Sequence, residues 1–231
     1  MKIIMSDVVS SASGRSNGLV FSRNRYGAYA RKHTVPVNPN TERQVAARAR
    51  TTYLMDRWAS TLTAAQRTAW ELYASSVGVL DRFGKLIFPT GANHYLRSNS
   101  VRMQAGLDVV DDGPTTFALP GLLTVPTAVI SAATNEMTLT YADTIPLFDE
   151  DGAAMLLYVG KPQSPTINFF NGPWKFADSV DGDSVTPPTS PATIACPEVC
   201  TEGQKVWAYV RIATADGRLS NPFRVECTVG A

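Results

Sequence analysis

Along this chain, apolar positions recur first with helical spacing and then with strand alternation, and the change falls near residue 110. Ala47, Thr51, Leu54 and Trp58 stand at i, i+4, i+7 and i+11, one seam that predicts a helix running to about Ser60. Asn38-Pro39-Asn40-Thr41 supplies its start, because Asn40 or Thr41 can cap exposed amides and Glu42 sits in the first turn, where the dipole favours an acid. Thr63, followed three residues later by Gln66, has the spacing of a capping box and opens a second helix. Ala65, Ala69 and Leu72 form its narrow face, Trp70, Tyr73 and Val77 widen it, and Gly78 is the expected stop. These two helices read as an antiparallel hairpin with Trp58, Trp70 and Tyr73 in its core. After a short apolar excursion at 83–88, a third helix follows Thr90, with Ala92, Tyr95, Leu96, Asn99 and Met103 on one face and Gly106 as its end.

Past Asp111-Asp112-Gly113-Pro114 the texture becomes short alternating runs, predicting strands near 128–132, 137–141, 154–159, 167–176, 192–196, 205–213 and 223–229. In the 205–213 run, Val206, Ala208, Val210 and Ile212 share one face, expected to be buried, and Trp207, Tyr209 and Arg211 share the other. Asp216-Gly217 marks a hairpin turn, and Ser220-Asn221-Pro222 leads into the last strand. Seven strands broken by Gly, Pro, Asn and Asp fit an immunoglobulin-like or fibronectin type III-like sandwich. The predicted fold class is therefore α+β: an extended arm at 1–40, a helical docking domain at 41–110, a linker at 111–122 and an all-β sandwich at 123–231.

Charge sharpens this division. Residues 1–110 carry fifteen Lys/Arg against six Asp/Glu, a net of +9, and residues 111–231 carry six against fourteen, a net of −8. A near-neutral total thus hides two halves with different partners. The acidic half would repel a phosphate backbone, whereas the basic half could hold an acidic protein surface or nucleic acid. With 44% hydrophobic residues the chain is core-forming, and its first apolar stretch is too short for a signal-peptide core or a membrane span, so a cytoplasm-like compartment and no membrane partner are expected.

The first forty residues, rich in glycine and basic side chains, lack the apolar content for a core of their own. Extended pieces at 18–21 and 27–30 suit strand addition to another protein's sheet edge; a frayed terminus is the plain alternative. Docking is assigned to Arg15, Arg23, Arg25, Arg31 and Lys32, with Tyr26 and Tyr29 as amphipathic anchors. Arg43, Arg50 and Arg57 repeat every seven residues and form either a second basic ridge or an ordinary solvated helix face.

No catalytic signature stands out. His33 and His94 are the two histidines, and neither has the setting of a catalytic base or metal ligand; His94 lies beside an apolar stripe and reads as a surface or packed residue. Cys196, Cys200 and Cys227 form an odd set that argues against a secreted disulfide scaffold; free or buried thiols are expected, with a Cys196 to Cys200 bond or a metal as lesser readings. Acidic runs at 149–152 and 178–183 read as plain turns, with a hard cation such as calcium as the other use of their oxygens. Neither a phosphate loop nor a dinucleotide fingerprint is present. No catalytic residue, metal or cofactor is assigned.

Four segments in order, GLVFSRNRYGAYAR, VPVNPNTERQVAARAR, WASTLTAAQRTAWELYA and TGANHYLRSNSVRMQAGL, resemble proteins of tailed-bacteriophage structural gene clusters. The resemblance covers about half of the chain and implies a non-enzymatic virion protein, assembled in the bacterial host cytoplasm, whose partners are capsid, neck or tail proteins and further copies of itself. Two other readings stay open: DNA binding by the basic half, and a carbohydrate- or receptor-binding module in which exposed Trp174 and Phe170 meet a host surface.

Overall fold

The computed structural model describes residues 13–24, 27–80, 85–122 and 124–231, and it divides into two compact units, 1–45 and 46–231. In the first, β1 (Gly14–Ser16), β2 (Leu19–Asn24) and β3 (Gly27–Lys32) form an antiparallel three-stranded sheet in the order β1-β2-β3. The expectation of an unpaired extended arm is therefore corrected. The two pieces expected to await a partner's sheet pair with each other, Phe21 opposite Ala30 and Ser22 opposite Tyr29, and β1 joins β2 through Asn17-Gly18, which takes the left-handed conformations of a tight hairpin turn. Residues 34–41 that follow are exposed.

The second unit begins within α1 (Glu42–Asp56), which continues as a π-helical turn over Arg57–Thr61, closed by the Leu62 amide donating to the Arg57 carbonyl. α2 (Ala64–Ser76) starts on the complete capping box: the Thr63 hydroxyl accepts from the Gln66 amide and the Gln66 side chain accepts from the Thr63 amide. It ends two residues before Gly78, with Val77 extended. Two short strands, β4 (Val79–Leu80) and β5 (Leu86–Ile87), pair antiparallel before α3 (Gly91–Gln104). That helix closes with a Schellman motif: Gly106 takes a φ of +80°, its amide reaches the Met103 carbonyl and the Leu107 amide reaches that of Arg102.

Leu54, Leu62, Trp70, Tyr73, Val77 and Tyr95 form the buried core of the helices, with Trp58 packed at its side. Trp70 meets Tyr73 and Tyr95 edge-on at 5.8 and 5.6 Å, the arrangement that ring quadrupoles favour.

Seven further strands build a nearly closed sheet: β6 (Thr127–Ser131), β7 (Glu136–Thr140), β8 (Ala154–Gly160), β9 (Trp174–Asp181), β10 (Ala192–Ala195), β11 (Lys205–Ala213) and β12 (Phe223–Gly230). Their order is β10-β7-β6-β12-β11-β8-β9, antiparallel throughout except for a short parallel contact of β12 with β6, Val229 opposite Ile130. Inward residues from both ends of this order, among them Met137, Leu139, Leu157, Val206, Val210 and Ile212, make one core. β9 starts seven residues later than the 167–176 run suggested, because Pro173 cannot donate to a ladder and pairing begins at the next residue.

The helices and this sheet share the second unit. Val101, Ala105 and Leu107 pack on Ala154, Leu156 and Leu219, so β8 is buried on both faces and reads AMLLYVG without alternation. Segment 107–111, which leads into the expected linker, is bound to the helices. Asn99 exchanges two hydrogen bonds with the Val110 backbone at 2.8 and 3.0 Å, and buried Arg102 donates to the carbonyls of Asp108 and Thr214 at 2.8 and 2.7 Å.

Candidate docking surface

Residues opposite one another in a sheet share a face, and the register sorts the docking candidates accordingly. Arg15 faces Val20, which faces Arg31, and Tyr29 lies two residues along on the same side; this is one basic, aromatic face. Arg23 and Lys32 fall on the other face, beside Leu19 and Phe21. Arg15, Arg23, Arg31 and Lys32 are exposed, while Tyr29 is half-buried. Arg25 and Tyr26 lie outside the described residues.

The heptad of arginines does not form a ridge of equivalent residues. Arg43 is exposed in the first turn of α1. Arg50 is half-buried, and its Nε is buried without a hydrogen-bond partner. Arg57 is engaged within the unit: its Nε and Nη2 hold the two carboxylate oxygens of Asp111 at 2.7 and 2.6 Å. Asp111, placed by the sequence in a linker, also accepts from the Tyr95 hydroxyl at 3.0 Å, and its backbone carbonyl accepts from the Trp70 indole at 2.9 Å. No local pattern signals it, because its partners lie on three different helical segments.

On the second unit, the face of β11 expected to meet solvent is an aromatic layer. Trp207 is buried and stacks on Phe170 at 5.8 Å; Tyr209 stacks on Tyr158 at 4.7 Å and meets Trp174 edge-on at 5.0 Å. The expectation of exposed Phe170 and Trp174 is corrected: Phe170 is 8% exposed and Trp174 half-buried, and their neighbour Phe169 is exposed instead. Phe169 lines a groove of about 300 Å³ with Asn168, Trp207, Arg224 and Glu226. Glu226 accepts from the Trp207 indole at 3.1 Å and Arg224 donates to the Phe170 carbonyl at 3.4 Å, so the walls of the groove are cross-linked.

The remaining candidates resolve into structure. Asp183 accepts from the Val185 and Thr186 amides at 2.7 and 2.9 Å and so closes its own turn, while Asp151 accepts from the Ser184 amide at 2.8 Å and ties the first acidic turn to the end of the second. Cys196, Cys200 and Cys227 are free thiols, the first two buried. Among the described residues no cluster of three or more metal-ligating side chains occurs, and no helix is long and apolar enough to cross a membrane. His94 is buried against Tyr73, ring centroids 5.3 Å apart.

No protein-family model matches this chain, and comparison with curated proteins returns no match.

Proposed function

We propose that the chain is a structural component of a bacteriophage virion, docked on capsid, neck or tail proteins through its basic N-terminal sheet and helices. The observation that carries this reading is the sheet at 14–32: a small compact unit whose Arg15, Tyr29 and Arg31 share one face and whose outer strands β1 and β3 offer edges for strand addition. Arginine and tyrosine are the side chains that interfaces use as anchors.

The acidic half is proposed to be a fibronectin type III-like sandwich. Lettering its strands A, B, C, C′, E, F and G in chain order, the pairing reads E-B-A-G-F-C-C′, two antiparallel groups joined where A meets G. Such a module supplies stable surface and no chemistry of its own. Its role here is to project from the particle or bridge neighbouring copies, and the basic and acidic halves favour head-to-tail association. The resemblance of the first half to phage structural proteins supplies the setting.

The test is mass spectrometry and immunogold labelling of particles purified from the source phage, comparing the full chain with one lacking residues 1–40. Labelling at regular sites, lost with the truncation, is expected; absence of the full chain from particles overturns the reading. Binding to DNA with a log-log salt slope near −0.9 per neutralised phosphate would instead assign the basic face to nucleic acid.

A further inference from the structure

α1 runs outward from the core that holds its C-terminal end. Leu54 is buried and Trp58 packs at the side of that core, but every residue from Glu42 to Tyr53 is exposed except half-buried Arg50. About 18 Å of helix therefore stands without tertiary cover, and Val45, Tyr53 and Met55 remain 50%, 48% and 40% exposed. A helix this short is marginal in water on propensity alone and depends on the packing of one face. Spacing identifies that face. Ala47 and Thr51 continue the seam of Leu54 and Trp58 by two turns, and with Arg48 and Thr52 they line an open hollow of about 420 Å³. Arg50 and Arg57 flank the seam one heptad apart on the same side. Where the seam is covered, Arg57 is paired with Asp111. Where it is bare, Arg50 has no ion pair among the described residues, and its Nε is buried without a hydrogen-bond partner. The bare part lacks both an apolar cover and an acid.

The acidic half presents both at one end. There the Gly182 and Asp183 amides donate to the Ala153 and Phe148 carbonyls at 2.9 and 3.0 Å, and the Ser184 amide donates to the Asp151 carboxylate at 2.8 Å. These bonds bring Asp149, Glu150, Asp151, Asp181 and Asp183 to one end of the sheet, and among the described residues no ion pair engages any of the five. Val185 stands beside them, 85% exposed, on a turn that the Asp183 carboxylate fixes at 2.7 Å through the Val185 amide. We propose that the acidic end of a second copy seats on α1, with Val185 over Ala47 and Thr51 and the surrounding carboxylates toward Arg48 and Arg50. Two α1 helices do not pair with each other, because the arginines flanking each seam would meet like charges. The contact gives a location to the head-to-tail association read above and rests on that reading, but not on membership of a virion. It is heterologous, so each copy keeps one surface open and growth continues past the dimer.

The test is sedimentation velocity of the purified full chain over a range of concentrations and salt. Association beyond the dimer is expected, weakening as salt rises. Ala47→Glu and Val185→Lys, both at exposed positions, should each weaken it by about tenfold or more. An equimolar mixture of the two variants should associate again, since one supplies an intact helix face and the other an intact acidic end. A chain that stays monomeric at every concentration overturns the contact, even if particle labelling finds it in virions. So does association that survives Val185→Lys, or a mixture that stays as dissociated as its components.

Discussion

Arg57 and Asp111, 54 positions apart, form a two-point ion pair, Nε to Oδ1 at 2.7 Å and Nη2 to Oδ2 at 2.6 Å. Around it the Tyr95 hydroxyl reaches the same carboxylate and the Trp70 indole reaches the Asp111 carbonyl, so one residue fastens the chain leaving α3 to all three helical segments.

Asp111→Asn should lower stability by about 2 kcal/mol at pH 7, read by urea unfolding. Both side chains keep some solvent contact, 29% and 21% exposed, which holds the cost below that of a fully buried pair. Arg57 chiefly, and the Tyr95 hydroxyl after it, hold the carboxyl below its ordinary range against the opposing effect of burial. A folded-state pKa below the unfolded value of about 3.9 means that this stabilisation is complete above that pH and is lost as pH falls through the folded value. The gap between the native chain and Asp111→Asn should therefore close in acid; a gap constant down to pH 2 would show that the pair does not carry it.

His94 gives a second pH dependence of opposite chemical origin. Burial first, and then the charge of Arg97, push its pKa down, while the Val77 backbone pulls weakly the other way; Tyr73 packs edge-on against the ring. The imidazole is neutral in the fold and takes up a proton on unfolding near pH 6.5, so stability should fall as pH drops below that value, by at most about 1.4 kcal/mol per unit. His94→Phe keeps a ring against Tyr73 and removes the proton. Urea unfolding of that variant should show a flatter profile between pH 6.5 and 5, and an unchanged slope would exclude His94 as its source.

Local signals were legible wherever two or three neighbouring residues decide the outcome. The Thr63 and Gln66 capping box, the Gly106 stop and the inward set of β11 all follow from spacing along the chain, and the structure places them as that spacing predicts. Relations between distant segments were not legible. Alternation in β11 separates Trp207 and Tyr209 from the core face, but it cannot show that α3 and the 161–173 loop cover the second face as well. Asp111 looked like part of a polar linker because its partners stand 16 to 54 residues away. The glycines and arginines of the first forty residues suggested an extended arm, since composition counts the apolar side chains available for a core and is blind to backbone pairing between β2 and β3.

The cysteines should behave as core residues. Burial pushes the Cys196 thiol up to about 12 and the Cys227 thiol up to about 11, and it raises Cys200 as well. Thiolate is the reactive form, so labelling with a disulfide reagent at pH 8 should be roughly a hundredfold slower in the native protein than in urea. Three thiols should then react on unfolding. A fast native phase would show that this end of the sheet opens without global unfolding.

Gly160, the last residue of β8, sets the position of the loop that follows it. A Cβ built there would stand 2.3 Å from the Phe170 ring, so the absence of a side chain lets that ring lie against the strand, stacked on Trp207 and edge-on to Trp174 at 5.0 Å. Gly160→Ala should expel the ring and cost about 1–3 kcal/mol through overpacking. Phe170→Ala should cost about 3 kcal/mol or more by leaving a cavity beside Trp207. Once Phe170 is gone the added methyl meets nothing, so the double variant should be about as stable as Phe170→Ala alone, a coupling of about the full Gly160→Ala cost. Urea unfolding of the four proteins measures that coupling. Additive losses would show that the loop shifts to accommodate both groups and that Gly160 is not what holds Phe170 in place.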